Sequence, residues 1–123
     1  MNIAIVGIGP HFRRTYMQYL DKYCICPRLL IELDSEKEYV NSILSEKKWN
    51  DTVLYTIPDD CKNEPTLPKR YQSQLDRICE EQSITHAIIS TEPKGHLMYL
   101  NYFIENGVNT LTDKPFVCFD DNL

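Results

Sequence analysis

The sequence predicts an α/β fold: a doubly wound parallel sheet of about five strands with helices on both faces. Three observations predict it. Short apolar, β-branched runs alternate with helical stripes from end to end of the 123 residues, and strict strand–helix alternation implies right-handed parallel crossovers. The runs are nearly continuously apolar, as in strands buried on both faces. The first run ends in Gly7-Ile8-Gly9, a tight turn feeding a helix.

The elements follow in order. Asn2–Val6 is a short run rich in Ile and Val that stops at Gly7. From His11 to Tyr23, apolar residues at Phe12, Tyr16, Leu20 and Tyr23 mark a helical stripe. Leu29–Leu33 is the second strand, ended by Asp34. Ser35-Glu36-Lys37-Glu38 has the form of a capping box, with Val40, Ile43 and Leu44 on the inner face of the helix it opens and Lys47 and Lys48 at its negative end. Thr52–Ile57 is the third strand. Pro58 to Pro68, with three prolines, Asp59, Asp60 and Asn63, reads as a loop and as the least ordered internal segment. Tyr71, Leu75, Ile78 and Cys79 mark the next helix, and Thr85–Ser90 the fourth strand. A helix from Gly95 carries Leu97, Leu100, Phe103 and Ile104 on one side and stops at Glu105-Asn106-Gly107. Val108–Thr112 is the fifth strand.

Composition sets bounds on function. Apolar residues make up 42% and charged residues 25%, the balance of an ordered globular domain. No apolar run approaches the roughly 18 residues a membrane span needs. The net charge of −5 repels phosphate backbones and argues against nucleic-acid binding. The amino-terminal run lacks the positive region of a signal peptide. The five cysteines (24, 26, 61, 79 and 118) are an odd number, so the expectation is reduced thiols in the cytoplasm. Cys24 and Cys26 alone lack the further ligands that tetrahedral zinc requires, and no metal is expected.

In a doubly wound sheet, ligands bind at the carboxyl ends of the strands, so the residues just after each strand are the informative ones. Gly7-Ile8-Gly9-Pro10-His11-Phe12 follows the first strand. It is a G-x-G-x-x-G dinucleotide fingerprint with Phe12 in place of the third glycine. Gly7 makes the turn, and Gly9 lets the backbone approach a pyrophosphate at the helix start. The third glycine serves close helix–strand packing, so Phe12 implies a wider contact there. An acid is expected at the end of the second strand to take the ribose hydroxyls. Asp34, 27 positions after Gly7, fills that role, since Ser35 already supplies the helix cap. A carboxylate there disfavours a 2′-phosphate, so NAD is expected over NADP. Arg13 and Arg14 are the residues that keep NADP as the alternative.

Two more turns complete the pattern. Thr91-Glu92-Pro93-Lys94-Gly95-His96 follows the fourth strand, and Asp113-Lys114-Pro115 follows the fifth. With Ala87-Ile88-Ile89-Ser90 before them and Glu105-Asn106-Gly107 between, the chain resembles the nucleotide-binding domain of the glucose–fructose oxidoreductase, inositol dehydrogenase and rhizopine-catabolism family (Gfo/Idh/MocA). The resemblance covers essentially the whole chain as one dinucleotide-binding domain, residues 1–123. The family's Glu-Lys-Pro signature stands here as Asp113-Lys114-Pro115.

The resemblance implies a Rossmann-type domain holding a nicotinamide dinucleotide. Gly7, Gly9, His11 and Phe12 would line the pyrophosphate, and Asp34 and Ser35 the adenosine ribose. Thr91, Glu92 and Pro93 would run toward the nicotinamide. Lys114 would be the catalytic residue, orienting a hydroxyl or carbonyl, and Pro115 would fix the backbone that presents it. The activity implied is hydride transfer to or from a sugar- or polyol-like substrate. The family's second domain, which carries the substrate pocket and the proton-transfer residues, is absent from these 123 residues, and Asp120-Asp121 reads as the start of a helix that does not develop. The expectation is a domain inactive alone, able to self-associate through the sheet edge at Val108–Thr112. The alternative is a non-enzymatic nucleotide-sensing or assembly module acting with a partner chain. His96 and His86 read as capping or packing residues, as do Tyr16, Tyr71 and Tyr99.

Overall fold

The computed structural model describes residues 1–91 and 93–112, with the backbone alone for residues 62, 63 and 93–96. Five strands form one parallel sheet: β1 (Ile3–Val6), β2 (Leu29–Leu33), β3 (Val53–Ile57), β4 (His86–Ile89) and β5 (Asn109–Thr112). Their spatial order is β3-β2-β1-β4-β5, the doubly wound arrangement expected. The helices are α1 (Pro10–Thr15), α2 (Met17–Lys22), α3 (Lys37–Lys47), α4 (Lys69–Glu81) and α5 (Pro93–Glu105). Each strand boundary lies within a residue or so of the one its apolar run predicts.

Period-two alternation splits the core between the two faces of the sheet. In β1, Ile3 and Ile5 pack with Phe12, Met17, Leu20, Leu30, Val40, Ile43 and Trp49, under α1, α2 and α3. Ala4 and Val6 face the other way, with Leu29, Ile31, Ala87 and Ile89, against Tyr71 and Leu75 of α4 and Met98, Tyr99, Tyr102 and Phe103 of α5. A strand whose every residue meets a core has no room for a polar side chain, which is why the run is unbroken. The outer strands are less enclosed. Among the described residues β5 is an edge, with Leu111 52% exposed, and Ile104 of α5 is also exposed.

Four local features depart from expectation. The first helix is two segments, with Tyr16 at their junction still near helical dihedrals. Its N–H donates to the Phe12 carbonyl and its own carbonyl accepts from Leu20, so the helical path bends without breaking. Tyr23, expected on the inner stripe, is exposed. The capping box does not form: a 3₁₀ turn, Asp34–Glu36, precedes α3, and neither segment has a side-chain cap. The proline-rich stretch is anchored as well, with a 3₁₀ turn at Asp59–Asn63 and Leu67 fully buried. At the far end of α3, Lys48 takes left-handed dihedrals (φ +59°), and its N–H returns to the Ser45 carbonyl.

At the amino ends of β4 and β5, a cavity of about 330 Å³ lies between α4 and α5, lined by Asp76, Cys79, Glu80, Tyr102, Phe103 and Val108 among others. Tyr102 donates its hydroxyl proton to Asp76 Oδ1 at 2.6 Å. Burial pushes the Cys79 thiol up to about 11, so it stays protonated near neutrality and is a poor nucleophile. Cys24 and Cys26 are exposed. A short iodoacetamide pulse at pH 8 is therefore expected to label Cys24 and Cys26 at least about tenfold faster than Cys79, read by peptide mass mapping. Equal labelling would mean that the α4–α5 packing is looser than described. No helix among the described residues is long and apolar enough to cross a membrane.

Candidate functional site

The sheet order places the topological switch point at β1. Its β2 neighbour is reached through α1 and α2 on one face, while β4 arrives through α4 on the other. In such sheets the crevice outside the carboxyl ends of the diverging strands is where ligands bind. The cavity between α4 and α5 lies at the opposite end.

Gly7 stands at the centre of that crevice. Its N–H continues the ladder to the Ile31 carbonyl at 3.0 Å, while Ser90 N–H donates to the Val6 carbonyl at 2.8 Å. Its φ is +85°, and a Cβ added there would lie 2.9 Å from the Ser90 carbonyl oxygen and 3.1 Å from the Thr91 nitrogen. Only glycine satisfies both the dihedral and the close approach of the chain leaving β4. Gly9 is different: a Cβ there would meet no atom of the described residues within 4 Å. Its φ of −76° and ψ of −170° suit any residue, so neither packing nor backbone conformation requires glycine. Among the described residues, what the missing side chain leaves is open space at the start of α1, whose first turn is opened by Pro10 and has no side-chain cap.

The other positions distribute as follows. His11 is exposed, with its ring edge-on to Tyr16 at 6.2 Å. Phe12 is fully buried, its ring 5.4 Å from that of Tyr16. Its side chain belongs to the core and cannot line a surface site, so only its backbone is available to a ligand. Thr91 is half-buried beside Gly7, and the neighbouring Ser90 is buried. Pro93 opens α5. Glu92, Lys114 and Pro115 lie outside the described residues. Arg13 stacks its guanidinium on the Tyr39 ring of α3, 5.1 Å from the centroid.

The acidic positions hold the main surprise. Asp34 is exposed at the start of the 3₁₀ turn. Glu32, the penultimate residue of β2, is the acid that reaches the glycine turn. Its Oε2 accepts the Ile8 N–H at 3.0 Å, and its Oε1 accepts the Leu33 N–H at 3.1 Å. Burial raises its carboxyl above the usual carboxylate value. The two backbone N–H donors pull it back, and the charges of Glu36 and Asp59 add to the rise. The signal for Glu32 is present in the sequence: a lone acid inside the apolar run Leu29-Leu30-Ile31-Glu32-Leu33 is costly unless a specific donor awaits it.

Ser35 is also committed. Its N–H donates to Asp59 Oδ1 at 3.0 Å and its hydroxyl to Asp59 Oδ2 at 2.5 Å, joining the segment after β2 to the segment after β3. Among the described residues, no group of three or more His, Cys, Asp or Glu is placed to hold a metal ion. The crevice thus combines an enforced glycine, an unfilled glycine at a helix start and a carboxylate on the turn between them. No family model, curated protein or solved structure matches the chain.

Proposed function

We propose that the chain binds a nicotinamide dinucleotide, NAD(H), across the carboxyl ends of β1, β2 and β4. In this reading it is the cofactor domain of an oxidoreductase acting on a sugar- or polyol-like hydroxyl or carbonyl. The observation that carries the reading is the contrast between the two glycines. Gly7 is required by the fold, whereas Gly9 is required by none of the described residues. A residue without a side chain, beside empty space at a helix start and at the switch point, suits a pyrophosphate brought against the backbone. Glu32 and Asp34 supply carboxylates on the β2 side, suited to ribose hydroxyls and hostile to a 2′-phosphate. Thr91 lies on the β4 side, along the course toward the nicotinamide.

The bound cofactor would supply the hydride chemistry. The chain's own part is to hold and orient it. Lys114 and Pro115 enter by the family resemblance alone, Lys114 as the ammonium that orients the reacting hydroxyl or carbonyl. The family resemblance places the water-excluding substrate pocket in a second domain, so weak binding and little turnover are expected of these 123 residues by themselves.

Calorimetric titration tests the reading. NADH is expected to bind at millimolar concentration or better. Gly9→Val is expected to abolish that binding while the protein stays folded, with a fall in melting temperature of no more than about 5 °C from the poorer helix cap, because an added Cβ meets no described atom within 4 Å. Absence of NADH and NADPH binding to the unmodified chain, or unchanged affinity in Gly9→Val, would overturn it.

A further inference from the structure

The Ser35–Asp59 pair has a chemistry of its own. One backbone N–H and one hydroxyl of the same residue are directed at the two oxygens of a single carboxylate, at 3.0 and 2.5 Å. A paired N–H and O–H set, in the segment that follows the second strand, is the kind of donor set that takes a phosphate monoester oxygen by oxygen. Here an internal anion already occupies it. The set stands three residues beyond Glu32 and next to Asp34, the two acids that the proposed function assigns to the adenosine ribose. Asp59 is also close enough to Glu32 to act on its proton affinity. Arg13, a cation that could favour a phosphate, is stacked on Tyr39.

We propose that Asp59 reinforces the cofactor preference set by Glu32 and Asp34: its carboxylate holds the donor pair that a 2′-phosphate would use, and so favours the dinucleotide that lacks one. This inference rests on the proposed dinucleotide reading and extends it to a residue 24 positions from its partner, on a different strand connection. Two effects act together. The donors are occupied, and an additional negative charge faces any phosphate that would displace it, as like-charge contact disfavours a wrong ligand.

The test is a pair of fluorescence titrations, NADH and NADPH, on the unmodified chain and on Asp59→Ala and Asp59→Asn, with a thermal melt of each. The unmodified chain is expected to prefer NADH. Asp59→Ala frees both Ser35 donors and is expected to tighten NADPH about tenfold, the scale of one regained charge-assisted hydrogen bond, with NADH within about threefold of its starting affinity. Asp59→Asn keeps an acceptor for Ser35 N–H but loses the charge. It is expected to move NADPH in the same direction by less, and it carries the test if the alanine variant does not fold.

An unchanged NADPH-to-NADH ratio in a folded variant would overturn the inference and leave the dinucleotide reading standing. So would an equal loss of both affinities, the mark of a merely structural clasp. An unmodified chain that binds NADPH as well as NADH would overturn it too. An unmodified chain that binds neither would remove the dinucleotide reading itself, before any variant is compared.

Discussion

Gly7→Ala is expected to destabilise the fold by roughly 2–5 kcal/mol, combining the strain of a side chain at positive φ with overpacking against backbone. Both causes are local: φ is +85°, and the added Cβ would stand 2.9 Å from a carbonyl oxygen that belongs to the chain leaving β4. A flexible side chain could move aside, but a backbone carbonyl beside the ladder bond Ser90 N–H to Val6 carbonyl cannot do so without separating β1 from β4. Those two strands form the central pair of the sheet, so the loss should appear as a large drop in the urea midpoint with little change in slope. An unfolding free energy within about 0.5 kcal/mol of the unmodified chain's would show that the two turns do not touch.

Phe12→Gly would restore the third glycine of the dinucleotide fingerprint, and it is expected to cost more still. The ring is fully buried among Ile8, Met17, Leu20 and Val40. Truncating a buried Phe typically costs 3–5 kcal/mol, and a glycine inside α1 adds about 1. The total of roughly 4–6 kcal/mol is a large share of the 5–15 kcal/mol that holds a domain together. Phe12→Leu, which keeps much of the volume, should retain most of the stability. If Phe12→Gly unfolded at the same urea concentration as the unmodified chain, α1 could not be packed on the sheet through this ring. Together the two variants separate the positions: Gly7 and Phe12 answer to the fold, and Gly9 is the position that the proposed function assigns to a ligand.

Much of this architecture is legible in the chain because it depends on near neighbours. Unbroken apolar runs such as Ile3–Val6 and Leu29–Ile31 declare strands buried on both faces, and the helical stripes between them force parallel crossovers. Gly7 was legible for the same reason, since a strand ending in Gly-x-Gly before Pro10 has few other conformations. What escaped depends on contacts between distant segments. Ser35 has the local pattern of a capping box, but its hydroxyl and N–H are claimed by Asp59, 24 residues away, across a pairing of β2 with β3 that no local pattern reports. Leu67 sits in a proline-rich stretch and is still buried, because the connection from β3 to α4 must pass over the core on its way to β4. Glu32 was hidden by the strand around it. An acid in an apolar run reads as an interruption until the glycine turn is seen to present the Ile8 N–H to it.

Glu32 therefore links the fold to the proposed function. It satisfies a turn amide in the free chain, and it stands where ribose hydroxyls would compete for the same carboxylate. In the proposed function, the crevice at the carboxyl ends of β1, β2 and β4 is the dinucleotide site. The most direct measurement is a ¹⁵N–¹H correlation spectrum recorded during NADH titration. The backbone amides of Ile8, Gly9, His11, Leu33, Asp34 and Thr91 are expected to shift together along one saturating curve, while those of Glu80, Tyr102 and Asn106, at the opposite end of the sheet, stay in place. Shifts confined to the α4–α5 cavity, or no shifts at millimolar NADH, would contradict it.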